Sequence, residues 1–183
     1  MTEQVSPHLG WANAVPDAQA TVDFSIEGTA ISFTGPGYHD KNWSDEPFTS
    51  LIDFWYWGHA RVGPYSIVWF DLVAPQNKEY QSGYVAENGQ ILSLGCALGS
   101  STVRPWGTNA VYPPTPTSGT PEGLLITFDL GSQGTFVANV TTALTALNEG
   151  IYQRYVGTVT GGFEGGETYT GTTFFEIMHL ADP

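Results

Sequence analysis

The chain has 183 residues, a formal net charge of −13 and one cysteine. This length suffices for one domain with its own core, and the content of 41% hydrophobic and 14% aromatic residues excludes a disordered or fibrous chain. Eighteen acidic residues against five basic ones would repel phosphate backbones, which argues against nucleic acid as a partner.

The cysteine content and the N-terminal residues indicate a cytoplasmic protein. Cys96 can form neither an internal disulfide nor a CxxC metal site, and we expect it to be a small buried side chain in a reducing compartment. The first ten residues lack the basic and apolar parts of a signal peptide. No apolar run approaches the roughly 20 residues that cross a bilayer, so no membrane span is expected.

Alternation of apolar and polar residues with a period of two recurs along the chain, whereas helical periodicity is almost absent. After a lead-in over residues 1–20, the predicted strands are Thr21–Ile26 with a continuation through Ile31 and Phe33, Leu51–Val62, Tyr65–Val73, Tyr80–Ala86, Gln90–Leu94, Leu124–Leu130, Thr135–Thr141, Gly150–Thr160 and Thr168–Leu180. Residues 142–147 could form one helical turn. About ten strands at this spacing predict one all-β domain over residues 1–183, an antiparallel barrel or sandwich.

Turn residues separate these strands. Glu27-Gly28, Gly63-Pro64 and above all Asn88-Gly89 are typical of tight hairpins. Residues 105–121 are too rich in proline for a central strand and are expected to form an extended loop, with the mouth of a barrel as one place for it. A closed barrel is the favoured form of the sheet because closure removes exposed strand edges.

Most well-known catalytic and cofactor motifs are absent from the sequence. It contains no GxSxG, P-loop, HExxH or helix-opening GxGxxG motif, and its four histidines are too scattered to suggest a zinc site. The glycine-rich run at residues 161–166 has no helix after it and is expected to be a turn. We therefore expect no cofactor and no metal.

The segment over residues 35–45 is dense in hydrogen-bonding side chains behind two glycines. If it is extended, one face carries Tyr38, Asp40 and Asn42, and the other carries His39, Lys41 and Trp43. A partly desolvated Asp40 could act as a general acid or orient one. The alternative is a polar corner in which Asp40 and Asn42 bind backbone amides while Trp43 fills the end of the barrel.

A second segment, residues 53–61, places aromatic and basic groups on one side of a strand. That side carries Trp55, Trp57, His59 and Arg61, and a two-residue loop at Gly63-Pro64 would add Ser66, Val68 and Phe70. This face suits an apolar ligand with one or two oxygens. The alternative is a barrel core in which Arg61 pairs with Asp53 or Asp71.

For the remaining candidate site residues, the main alternative to a functional role is a structural one, either in packing or in a salt bridge. Trp69 is expected to pack, and Trp106 enters the proline-rich loop, where it could cover a pocket. Arg154 and Glu176 lie on separate predicted strands, and a structural salt bridge is the favoured interpretation of both.

Three runs, Trp11–Ala18, Phe33–Trp43 and Trp55–Arg61, resemble the hydroxyneurosporene-synthase (carotenoid hydratase-like) superfamily. Within it, the chain is most similar to fungal lipocalin-like Diels–Alderases. The resemblance implies a lipocalin-like (calycin-type) antiparallel barrel of about 8–10 strands that corresponds to the family's C-terminal domain. It also implies a pocket at or between two domains, so a partner chain or self-association could replace the other half.

The resemblance gives three functional hypotheses for a hydrophobic small-molecule substrate. The leading one is a cyclase of fungal-type secondary metabolism that catalyses an intramolecular or hetero-Diels–Alder reaction, with Lys41, His59 or Arg61 as hydrogen-bond donor. The second is a hydratase or dehydratase in which Asp40 protonates an alkene and His39 assists the water. The third is a non-catalytic binding or partner subunit. The side chains expected to bind the substrate are Tyr38, Trp43, Trp55, Trp57, Trp69 and Trp106.

Overall fold

The computed structural model describes residues 3–115 and 117–180. Its strands are β1 (Gln4–Ser6), β2 (Leu9–Ile26), β3 (Thr29–Ser44), β4 (Phe54–Val62), β5 (Tyr65–Ala74), β6 (Lys78–Glu87), β7 (Gln90–Gly95), β8 (Ser101–Trp106), β9 (Gly123–Asp129), β10 (Thr135–Asn148), β11 (Tyr152–Phe163) and β12 (Tyr169–His179). A short helix, α1 (Phe48–Leu51), precedes β4. Met1, Thr2, Pro116 and residues 181–183 lie outside the described residues.

Nine strands form one antiparallel sheet in the order β7-β6-β5-β4-β12-β11-β10-β9-β8, which curls into a nearly closed barrel. The seam between its edges is held partly by side chains: Asp71 Oδ2 accepts the N–H of Val103, and Gln81 Oε1 accepts the N–H of Gly99. The expectation of an all-β antiparallel barrel of about 8–10 strands is thereby confirmed.

The barrel interior is filled with large apolar side chains. Trp69, Tyr56, Tyr155, Phe128, Phe136 and Phe175 are all less than 2% exposed. Gly58 lies among them because a Cβ there would approach Cζ2 of Trp69 to 2.3 Å and Cβ of Phe175 to 2.6 Å. The interior of this barrel is therefore a packed core.

A separate sheet of β1, β2 and β3 covers part of the outer face of the barrel. Leu9 and Trp11 at the start of β2 pack with Trp55, Trp57 and Phe70 of the barrel in a second buried cluster. Every residue of β5 except the last is buried, because one face of the strand meets the barrel interior and the other meets this sheet. We call the paired strands β2 and β3 the ribbon.

The predicted tight turns are present. Positive φ angles occur at Glu27 (49°), Gly28 (82°), Asn88 (49°) and Gly89 (79°), as expected for type I′ hairpins. The two-residue connection at 63–64 also holds, since Arg61 pairs with Ser66. Val68 and Phe70 therefore share the face of His59 and Trp57, as the alternation predicted.

Four expectations need correction. Residues 4–6 and 9–20 of the expected lead-in are strand, because they pair with one another and with β3. The proline-rich loop begins after Trp106, since Pro105 is accommodated in β8, an edge strand of the sheet. Residues 142–147 belong to β10, paired with β11 through two bulges, and form no helical turn. Cys96 is exposed because it lies between β7 and β8, outside the barrel core.

Candidate functional site

A cavity of about 440 Å³ lies on the outer face of the barrel, where β3 and α1 approach β4, β11 and β12. Its walls are formed by Asp40, Asn42, Phe48, Thr49, Trp55, Trp57, Tyr152, Arg154, Glu176, Met178 and Leu180. This volume lies in the range that holds a drug-sized ligand. Strand alternation creates the site, because residues 174, 176 and 178 of β12 point outward while Phe175 and Ile177 point into the core.

One wall carries a coupled acid, phenol and guanidinium. Tyr152 donates its hydroxyl proton to Glu176 Oε2 at 2.5 Å, and Arg154 Nε donates to the same oxygen at 3.2 Å. Arg154 Nε also donates to the Tyr152 hydroxyl oxygen at 2.5 Å. The three side chains meet because Arg154 pairs directly with Glu176 across β11 and β12. Both donors contact Oε2, so Oε1 is the oxygen that can hold a transferable proton.

Burial shifts the pKa values of Glu176 and Tyr152 on this wall of the cavity. Glu176 is 6% exposed, and desolvation raises the pKa of its carboxyl despite the hydrogen bonds from Tyr152 and Arg154. The negative charge of Asp40 acts in the same direction as the desolvation. Burial also raises the pKa of the Tyr152 hydroxyl to about 12, so it remains a neutral donor. A carboxyl of this kind can deliver a proton that an exposed glutamate would already have lost.

A second carboxyl, Asp40, belongs to the ribbon side of the cavity. Its Oδ2 accepts the indole N–H of Trp11 at 2.7 Å and the hydroxyl of Tyr38 at 3.1 Å. The Tyr38 hydroxyl also contacts Asn13 Oδ1. These contacts hold Asp40 in one position against the cavity. Two carboxyls with different surroundings on one cavity are suited to different roles, one as acid and one as counter-charge.

The remaining lining is mostly aromatic and apolar. Trp55 and Trp57 are 6% and 7% exposed, and Trp55 packs edge-on against Phe48 with ring centroids 6.3 Å apart. Trp57 packs edge-on against Phe174 at the same separation. Such walls exclude water and offer π faces that attract positive charge.

Several predicted site residues come together here. Asp40, Trp55 and Trp57 line the cavity, and the Tyr38 hydroxyl donates a hydrogen bond to Asp40. His59 lies next to them, with its ring stacked on Tyr38 at 4.6 Å. Desolvation lowers the pKa of His59 to about 4, so the imidazole is neutral at pH 7.

The other predicted catalytic residues lie away from the cavity lining. Arg61 donates from Nε to Asp17 Oδ1 at 2.6 Å, so its partner is Asp17 and neither Asp53 nor Asp71. His39 and Lys41 are exposed on the opposite face of β3 from Asp40, as the alternation predicted.

The remaining predicted tryptophans also lie elsewhere. Trp69 is buried in the barrel core, and Trp43 is 42% exposed beside Gly10. Trp106 packs over Gly123, where a Cβ would come within 2.6 Å of its ring.

A structural salt bridge is the interpretation that the sequence favours for Arg154 and for Glu176 separately, and in the structure the two form one with each other at 3.2 Å. Sequence interpretation did not place them in a site with Asp40, and it did not single out Tyr152. The available signal was a glutamate between apolar neighbours on an outward strand face, at Phe174-Phe175-Glu176-Ile177-Met178. A glutamate among apolar neighbours indicates that another part of the chain packs over this outward face. The alternation within one strand cannot identify that part of the chain.

Among residues 3–115 and 117–180, no group of three or more His, Cys, Asp or Glu side chains is arranged to hold a metal ion. In the same part of the chain, no helix has the length and apolar character required to span a bilayer.

Comparison with known proteins supplies the family context. The model of the Diels-Alderase-like family matches residues 1–102. The chain is 43% identical over 171 residues to the quinolone epoxide rearrangement protein penF of Penicillium thymicola, covering 93% of this chain and 47% of penF. It is 39% identical over 181 residues to the quinolone epoxide rearrangement protein asqO of Emericella nidulans, covering 99% of this chain and 50% of asqO. The chain thus spans about half the length of these curated relatives.

The crystal structure of CghA with Sch210972 has the same fold as this chain. The TM-score is 0.78 at 19% sequence identity, over 99% of this chain and 57% of CghA.

Proposed function

Because this chain belongs to the Diels-Alderase-like family, we propose that its cavity isomerises a hydrophobic aromatic epoxide by acid-promoted ring opening and rearrangement. The printed activity of penF and asqO, quinolone epoxide rearrangement, supports an epoxide on a quinolone scaffold as the substrate class. The observation that carries the proposal is the buried Glu176 carboxyl, with its raised pKa, on the wall of an aromatic cavity opposite a second carboxylate.

The reaction begins with transfer of a proton from Glu176 Oε1 to the epoxide oxygen. The bond between that oxygen and the more substituted carbon breaks, the electron pair stays on oxygen, and positive charge develops on carbon. Arg154 and Tyr152 then stabilise the carboxylate that remains on Glu176, because both already donate to its Oε2. A carbon, hydride or internal nucleophile moves to the cationic carbon, and a proton returns to the carboxylate. The product is an isomer of the substrate.

The cationic carbon is stabilised by the other groups on the cavity. The faces of Trp55 and Trp57 attract positive charge, and the Asp40 carboxylate provides a fixed counter-charge. Their apolar bulk also excludes water that would trap the cation as a diol.

A Diels–Alder cyclisation is the second candidate, supported by the description of the family whose model matches. The same cavity would hold a folded polyene in a reactive conformation, which lowers the entropic part of the barrier. Arg154, which is partly exposed on the wall, would donate to the dienophile carbonyl. The names of penF and asqO favour epoxide rearrangement over this reaction.

The test is incubation of the purified chain with a quinolone epoxide in water enriched in ¹⁸O, followed by chromatography and mass spectrometry. The proposal predicts an isomer of unchanged mass without label, formed faster than in buffer. A labelled product of mass increased by one water would show hydrolysis of the epoxide to a diol and would contradict the proposed rearrangement. Binding of the epoxide without any acceleration would leave the chain as a binding subunit and contradict the proposal.

A further inference from the structure

Asn42 is a polar residue of the cavity wall that the proposed reaction does not use. Alternation along β3 puts it on the same face as Asp40, and both residues line the cavity. Its main chain is held in place, because Asn42 pairs with Trp11 of β2, which is 5% exposed against the barrel and donates its indole N–H to Asp40. The base of the ribbon therefore presents Asn42 to the cavity at a defined position.

The carboxamide of Asn42 has no protein partner within the described part of the chain. It makes no hydrogen bond there, so Asn42 does not form the polar corner in which its side chain would bind a backbone amide. Four other polar side chains of the lining already bind protein partners: Asp40, Tyr152, Arg154 and Glu176. Asn42 is also exposed, so its amide is accessible to a ligand that enters the cavity.

A carboxamide combines a hydrogen-bond acceptor and a donor in one planar group. It can therefore form two parallel hydrogen bonds with a second amide whose N–H and C=O lie on one edge, as they do in a lactam ring. Other polar groups of the lining lack this pattern: the carboxylate of Asp40 only accepts, the guanidinium of Arg154 only donates, and the hydroxyl of Thr49 is a single oxygen. The side chain of Asn42 matches both hydrogen-bonding groups of a lactam edge.

We propose that Asn42 determines substrate specificity by pairing with the lactam edge of the substrate, accepting from its ring N–H and donating to its ring carbonyl. This inference rests on the proposed function, which supplies the quinolone scaffold. A quinolone whose N–H and carbonyl are adjacent has one such edge, and its aromatic face suits Trp55 and Trp57. With the lactam held at β3, the rest of the substrate is directed toward Glu176 on the opposite wall.

The alternative role of Asn42 is that of a solvated residue at the rim of the cavity. An exposed amide exchanges hydrogen bonds with water for hydrogen bonds with a ligand, so each bond gains little, and the two together should change affinity about tenfold. A purely structural role would instead change the affinity for every ligand of similar size by the same factor. The two roles are separated by a pair of ligands that differ only at the ring nitrogen.

The test measures the dissociation constants of 2-quinolone and of its N-methyl derivative by isothermal titration calorimetry with the full chain. The wild type should bind the N–H form about tenfold more tightly than the N-methyl form. Asn42→Leu should weaken binding of the N–H form about tenfold and should bind both forms equally within about twofold. Asn42→Asp keeps the size of the side chain but has no N–H donor, so it too should lose affinity for the N–H form. The matched control Asn139→Leu, exposed on β10 and away from the cavity lining, should keep the wild-type affinities.

Three results would overturn the proposal. The first is equal affinity of the wild type for the two ligands. The second is an Asn42→Leu variant that keeps the wild-type preference for the N–H form, or that binds both ligands more weakly by the same factor. The third is no binding of either ligand although the chain is folded by circular dichroism. Neither ligand contains an epoxide, so absence of the rearrangement together with an intact preference for the N–H form would reject only the acid chemistry.

Discussion

At the scale of single residues, the two cavity carboxyls differ because their neighbours differ. Glu176 is 6% exposed on the barrel wall, and its desolvation favours the protonated form. Asp40 accepts two charge-assisted hydrogen bonds, from Trp11 and Tyr38. The chemistry we propose depends on this difference, since burial favours the protonated form of Glu176 while two hydrogen bonds fix the Asp40 carboxyl beside the cavity.

His59 provides a residue-scale prediction about stability. Burial lowers its pKa to about 4 from an ordinary value of 6.5, with Asp40 and Asp17 acting in the opposite direction. As the pH falls below about 6.5, the unfolded chain gains a proton that the folded chain does not bind. The free energy of unfolding should therefore fall with decreasing pH until about pH 4, and this residue should account for up to about 3 kcal/mol of that loss.

The measurement is urea unfolding at pH 7 and pH 5 for the wild type and for His59→Gln. The variant loses the ring stacked on Tyr38, so it should be less stable at both pH values. The informative quantity is the change between the two pH values, which should be smaller in His59→Gln. An unchanged difference would show that His59 is not the partly buried, neutral imidazole that we describe.

At the scale of elements, the alternation of apolar and polar residues predicts most strands correctly. It does not predict which part of the fold packs against each strand face. The face with Trp55, Trp57, His59 and Arg61 is real, and its partners on β5 follow from the two-residue turn at 63–64. The alternation leaves open whether this face binds a ligand or belongs to the barrel core; in the structure it is the outer face of the barrel, covered by the base of the ribbon. Both faces of β4 and β5 are apolar, so their pattern alone cannot tell inside from outside.

Other misses at this scale have equally local causes. Arg61 pairs with Asp17 through a ribbon that was predicted to begin only at Thr21, so the correct partner lay in the supposed lead-in. The association of Asp40 with Glu176 joins residues 136 positions apart, which requires knowledge of the strand order. The family resemblance, by contrast, was visible in the sequence, and its Diels-Alderase-like part is confirmed.

A glycine on β4 gives an element-scale prediction. Gly58→Ala places a Cβ at 2.3 Å from the Trp69 ring and 2.6 Å from Phe175, in a core without room. Overpacking of this kind should lower the free energy of unfolding by about 1–3 kcal/mol or more. The matched control is Gly35→Ala on β3, where a Cβ meets nothing within 4 Å. That variant should be unchanged or more stable by about 0.4–1 kcal/mol, and equal losses in both would refute the packing argument.

At the scale of the whole molecule, the barrel supplies a rigid wall and the ribbon supplies a cover. The interior is filled by buried aromatic and aliphatic side chains, and the described cavity lies between the two sheets. Each sheet contributes one carboxyl, with Asp40 on β3 and Glu176 on β12. The geometry of the site therefore depends on how the base of the ribbon packs on the barrel.

The central claim, that Glu176 is the acid in this cavity, is tested most directly by initial rates of isomer formation from a quinolone epoxide between pH 5 and pH 9. The wild-type rate should fall as the pH rises through the raised pKa of Glu176. Glu176→Gln should be slower by about 10²- to 10⁴-fold and lose that pH dependence. The exposed control Glu164→Gln should match the wild type. A Glu176→Gln variant with the wild-type rate and pH profile would contradict the claim.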